Sequence, residues 1–101
     1  MNIIYHITKA SYWEKLAAAD SYETETLGVE GSIHCSTRDQ VKGVLERYYP
    51  GQNDLCLLHI DRELLNADVK YEVGPNGDSF PHVYGKINKN AIIKVEAIDN
   101  H

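Results

Sequence analysis

The chain has few of the residues that staple, stiffen or positively charge a protein: of its 101 residues, two are cysteine, three proline and three arginine. Cys35 and Cys56 cannot build a disulfide scaffold, and without an export signal they are expected to be free thiols. No C-x-x-C or H-x-x-x-H pair preforms a zinc site. The scarcity of proline and the absence of repeats or low-complexity tracts exclude a disordered or fibrous chain. No apolar run approaches the ~20 residues of a membrane helix. The opening Met1-Asn2-Ile3-Ile4-Tyr5-His6 also lacks a basic region followed by a long apolar block, so no membrane partner is expected and the expected location is the cytoplasm. Ten Lys and Arg stand against fifteen Asp and Glu, a net charge of -5. That balance disfavours long nucleic acid, which is held by neutralising phosphates, and leaves a small-molecule nucleotide or other small ligand as the expected partner.

What is present is enough for a core: 43% of residues are hydrophobic and nine are aromatic. The length suits one domain spanning 1–101. Residues 2–8 alternate β-formers on both faces and read as a mostly buried strand. Ser11 and Glu14 form a capping box for a helix to Asp20. Tyr22 to Glu30 carries three glutamates and reads as a loop with at most a short extended stretch. A strand over Gly31-Ser32-Ile33-His34-Cys35-Ser36-Thr37 then runs into a second helix, for which Thr37 and Gln40 form a capping box. Val41, Val44, Leu45 and Tyr48 fix that helix by their spacing, and Pro50-Gly51 ends it. Asp54–Ile60 is apolar on both faces and suits a central strand, and Asp61 can cap a short turn through Leu65. Val69–Val73 alternates, 74–79 is turn-rich, and 82–87 and 91–98 close the chain as two strands. The expected fold is α+β: about six strands in two small sheets with two main helices, both in the first half.

Strand parity puts Ser32, His34 and Ser36 on one side and Ile33 and Cys35 on the other. His34 is thus offered to chemistry and Cys35 to the core. The same parity works against a Cys35–His34 nucleophile pair and against a zinc site from His6, His34, Cys35 and His82, so no metal is expected. Free N–H groups at the start of the following helix could hold an anion. His6, His34 and His82 all stand near strand ends or loops, where an imidazole can serve as acid or base, although a lone histidine is more often a hydrogen-bonded structural residue. His59 falls in that structural class, and His101, at the end of the chain, is expected to be unordered. Phe80-Pro81-His82-Val83-Tyr84-Gly85 combines rings with an imidazole and can line a pocket for a planar group. Glu72 is the acid that parity places beside it.

With these motifs in this order, the chain resembles the bacterial domain-of-unknown-function 952 family. The resemblance is carried by Ile4-Tyr5-His6-Ile7, Trp13, Glu30 to Thr37, Gln40, Ile60-Asp61, Tyr71-Glu72 and Phe80 to Gly85. That family in turn resembles the ADP-ribosyltransferase-like fold, especially its RNA 2'-phosphotransferase branch, where NAD lies in a cleft between two small sheets. The resemblance implies catalytic roles for His6, His34 and Glu72, and NAD as substrate. His6 would hold the ribose, Tyr84 with Trp13 the nicotinamide, and His34 with Ser36 and Thr37 the pyrophosphate. Glu72 would stabilise a ribosyl cation, and Gln40, Phe80 and His82 complete the ligand-binding set. The phosphate-holding arginines of the RNA phosphotransferases have no counterpart before Arg38. A non-catalytic ligand-binding or protein-interaction domain is therefore the alternative to an NAD-dependent transferase or glycohydrolase.

Overall fold

Five consecutive buried residues, Ile4 to Thr8, form the middle of the first strand, β1 (Ile3–Lys9). A run buried on both faces needs a core on each side of its sheet, and that requirement organises the molecule. The computed structural model describes residues 2–98; His101 lies outside them. β1 pairs antiparallel with β4 (Leu55–Asp61), which pairs on its other side with the last strand, β8 (Ile92–Ile98). The apolar Leu55–Ile60 run is therefore central, as its two-sided pattern requires. Asp61 ends it by accepting the Glu63 N–H at 3.0 Å, capping the short turn that follows.

On one face of this sheet Ile4, Cys56, Leu58 and Ile60 meet Tyr22, Ile33, Val83 and Ile87, all buried. On the other, Tyr5, Ile7, Leu55 and Leu57 meet Val44 and Phe80. The first core is covered by α1 (Ala10–Lys15), through Trp13 and the following Leu16, and by the pair β2 (Ser21–Tyr22) and β7 (Ile87–Asn88). The second is covered by α3 (Val41–Tyr48), whose Val44 is buried and whose Val41 and Leu45 flank it. A third sheet, in the order β3 (Ile33–His34), β6 (Ser79–Tyr84), β5 (Asp68–Val73), lies beyond the free edge of β1.

The chain crosses between the sheets just after β3. Cys35 N–H donates to the Pro81 carbonyl at 2.9 Å, and Ser36 and Tyr5 then exchange two backbone hydrogen bonds of 2.7 and 2.8 Å. One short segment thus belongs to two sheets, which brings β1 and β6 to the same place.

Several expectations are corrected. There are eight strands in three sheets among the described residues, because Ser21–Tyr22 pairs with Ile87–Asn88 and the 82–87 run divides between β6 and β7. The first helix ends at Lys15, and turns and bends fill the way to Asp20. Its Ser11–Glu14 box does not form: the helix begins at Ala10, and the Ser11 hydroxyl donates to Asp54 Oδ2 at 2.8 Å. The Tyr22–Glu30 segment holds strand residue Tyr22 and a short helix, α2 (Leu27–Glu30), closed by Gly31 with φ of 81°. Ala91 lies in a 3-10 turn rather than in the last strand. All three α-helices fall in the first half, and none of the described helices is long and apolar enough to cross a membrane.

Candidate functional site

The outward face of the third sheet is set by register. His34 pairs with His82, Lys70 also pairs with His82, and Glu72 pairs with Phe80. Paired residues share a face, so these side chains stand together while Ile33, Val69 and Val83 turn into the core. Between that face and the end of α3 lies a cleft of 750 Å³, whose walls include Glu30, His34, Glu72, Phe80, His82 and Tyr48. The His34 ring lies 4.9 Å from Phe80 and 5.2 Å, edge to face, from His82. Gly74 lets the hairpin close on Phe80, since a Cβ there would sit 3.1 Å from the ring.

Glu72 is held from one side and approached from the other. The Tyr84 hydroxyl donates to Oε2, and His82 Nδ1 lies 3.6 Å from Oε1. The hydrogen bond to Glu72 holds the Tyr84 hydroxyl pKa above its ordinary value. Burial, and then His82, hold His34 below the ordinary histidine value, so it is neutral at pH 7 and able to act as a base.

Behind His34 is His6, wholly enclosed. Its Nδ1 lies 2.8 Å from the His34 carbonyl, which can only accept, so this nitrogen carries the hydrogen. Its Nε2 must then accept from the Tyr22 hydroxyl at 2.9 Å, and Thr8 completes the chain by hydrogen-bonding Tyr22. Burial drives the His6 pKa down to about 4 against the weaker opposing effect of its bond to His34. Neutral His6 therefore fixes the backbone at His34 rather than presenting a charge to a ligand. A small pocket of 70 Å³ is lined by His6, His34 and Ser36 and shares His34 with the cleft and His6 with a third pocket, of 250 Å³, beside Thr8, Tyr12 and Tyr22.

The nominated residues divide accordingly. His34, Glu72, Phe80 and His82 line one cleft, Tyr84 supports Glu72, and His6 and Ser36 line the adjoining pocket. Trp13 is elsewhere, packed 5.8 Å from Tyr22 with Lys89 over its ring. Thr37 and Gln40 lie outside the cleft lining and are tied to each other and to the third sheet: Gln40 Oε1 accepts the Thr37 N–H at 3.0 Å, and its Nε2 donates to the Ser79 carbonyl at 2.8 Å. The Gln40→Ala variant is expected to lose about 1 kcal/mol of stability in denaturant unfolding while leaving ligand binding unchanged; weaker binding at full stability would restore Gln40 to the ligand set. The helix start is no anion cradle for this cleft, since no residue from 37–40 lines it and Asp39 occupies the first turn. Cys35 is fully buried and its thiol pKa is pushed up by burial, as expected of a core residue. His59 bonds Glu96 at 2.8 Å and stacks edge-on against Tyr5, a structural role.

Sequence reasoning missed Tyr22, which donates to His6 Nε2, and the tyrosines that close α3. Tyr22 is the one aromatic in its acidic stretch, a signal for it; the helical spacing marks Tyr48 only as part of an apolar stripe.

Residues 7–95 match the family model described as protein of unknown function (DUF952). The crystal structure of protein CC0527 from Caulobacter crescentus is similar, with 27% identity and a TM-score of 0.86 over 97% of this chain and 87% of that one. Its solution NMR structure gives 28% identity and a TM-score of 0.82 over 98% and 86%. No curated protein matches the chain. The family match spans nearly the whole chain, which therefore belongs to the DUF952 family of proteins of unknown function.

Proposed function

We infer that this chain is a small-ligand-binding domain whose ligand, carrying a planar ring, occupies the cleft between the third sheet and α3. The observation that carries this reading is the convergence of His34, Glu72, Phe80 and His82, from three strands, on one cleft of 750 Å³. That volume is within the ~300–1,000 Å³ typical of small-molecule sites. His34 contacts the ligand, and His6 acts through it as a positioning residue.

A second reading makes the ligand NAD or an ADP-ribose relative, bound by an ADP-ribosyltransferase-like fold and cleaved there. His6 beside His34, with Glu72 on the same wall, favours it, because glycosidic cleavage builds positive charge on the ribose that a carboxylate stabilises. Against it, no lysine or arginine side chain lines the cleft to hold a pyrophosphate, among the described residues. The nicotinamide riboside end of NAD fits the cleft better than the whole dinucleotide.

Nicotinamide riboside, NAD, ADP-ribose and a 2'-phosphorylated dinucleotide would be titrated, with amide shifts and released nicotinamide as readouts. Nicotinamide riboside is expected to move the amides of His34, Phe80 and His82, and ADP-ribose, which lacks the nicotinamide and carries a pyrophosphate that no lysine or arginine of the cleft can hold, to leave them in place. Release of nicotinamide would turn the ligand into a substrate. Because the His34 side chain is exposed, His34→Ala is expected to weaken binding about tenfold or more with a melting temperature within a few degrees of the parent. Loss of the fold would make His34 a structural residue.

A further inference from the structure

The polar groups of the cleft are mainly acceptors. Its carboxylates are Glu30 and Glu72, and no lysine or arginine side chain among the described residues lines it. His82 Nδ1 lies 2.9 Å from the Phe80 carbonyl, so this nitrogen carries a hydrogen directed at that carbonyl. His34 is neutral at pH 7, for the reasons given above. The Tyr84 hydroxyl directs its hydrogen to Glu72. Lys70 stands on the same face of the sheet but lies over the Tyr84 ring, 5.1 Å from its centroid, outside the lining. An anion entering here would meet two carboxylates and no lysine or arginine among the described residues. A cation would meet two carboxylates, an imidazole lone pair and the rings of Phe80, Tyr48 and Tyr49.

We propose that the ligand of this cleft is an organic ammonium bearing a planar ring, with the ring against Phe80 and the tyrosines of α3 and the charged nitrogen at Glu72. Glu72 is the anchoring carboxylate because the Tyr84 hydroxyl holds its Oε2 in place. The proposal rests on the cleft being a ligand site and names the chemical class it takes.

Phenethylamine, 2-phenylethanol and phenylacetate share a ring and a two-carbon arm or its acid analogue, and differ in charge. Each would be titrated at pH 7 and moderate salt into the parent chain, into Glu72→Gln, and into Glu63→Gln, which removes one negative charge from an exposed turn. Phenethylamine is expected to shift His34, Phe80 and His82 amides and to bind about tenfold more tightly than the alcohol, a difference of roughly 1.4 kcal/mol. E72Q should abolish most of that preference and E63Q should keep it. If E72Q fails to fold, Glu30→Gln serves instead, with a smaller reduction expected. Equal binding of the alcohol, tighter binding of phenylacetate, or a preference indifferent to E72Q overturns the charge assignment and leaves the ligand site standing. Silence from all three compounds also overturns it, and the reading of the cleft as a ligand site falls only if the nicotinamide riboside series is silent too.

Discussion

Lowering the pH from 7 to 4 is expected to remove about 3 kcal/mol of folding stability through His6 alone. In the unfolded chain this imidazole titrates at the ordinary value of 6.5; in the fold burial holds it at about 4. The unfolded state thus binds the proton first, and stability falls as pH drops through 6.5 toward 4. Above 6.5 the contribution is complete and flat. The cause is geometric as well as dielectric: Nδ1–H is committed to the His34 carbonyl and Nε2 to the Tyr22 hydroxyl. Protonation of Nε2 would turn it from acceptor to donor against a tyrosine that is itself donating. For a domain whose total stability is of order 5–15 kcal/mol, this is a large share. Denaturant unfolding at a series of pH values, on the parent and on His6→Gln, isolates it, because the partly exposed His34 contributes to both curves. Parallel pH profiles for the two proteins would show that His6 is not the group responsible.

The Phe80→Ala variant is expected to lose about 3–5 kcal/mol. Phe80 is 4% exposed and belongs to the core beneath α3, yet the same ring contacts His34 and forms a wall of the cleft. Truncation leaves a cavity between Val44, Tyr5 and the β5–β6 turn, and Gly74, packed on the ring, loses its neighbour. Phe80→Leu should recover most of the loss, since it refills the core without restoring the aromatic face. Unfolding free energies for the two variants check this, and a cost under about 1 kcal/mol for the alanine would mean the ring is lining rather than core. The pair also separates packing from recognition: a leucine variant that folds well and binds the ring-bearing probes poorly assigns the aromatic face to the ligand.

Most of the architecture was legible where the pattern is long. β1 and β4 announce themselves by runs apolar on both faces, and α3 by Val41, Val44, Leu45 and Tyr48. Illegible were elements too short to have a period: Ser21–Tyr22 and Ile87–Asn88 pair over two residues each, and α2 is a single turn. Ser11 shows a different limit. Its spacing to Glu14 is that of a capping box, but the helix begins one residue earlier and Asp54, 43 residues away, takes its hydroxyl, a partner no local rule sees. At the site, parity correctly separated His34 from Cys35, one exposed and the other buried. It could not show that His34 meets His6 through its backbone carbonyl, because that contact depends on a strand leaving one sheet for another. Trp13 and Gln40 were nominated by motif, and their side chains turn out to hold elements together.

The place of β4 between β1 and β8 bears on how the protein behaves when damaged. The Leu55–Ile60 backbone is hydrogen-bonded on both sides, and its flanking partner on one side is the last described strand. Clipping or fraying of residues 92–98 would expose the edge of a strand free of Asp, Glu, Lys and Arg from Leu55 to Ile60 and strongly β-forming, a template on which unrelated copies can stack into aggregates. The strand that contributes nothing to the cleft is thus the guard of the whole molecule's solubility, and proteolytic trimming at that end would first appear as precipitation, with the cleft itself still intact.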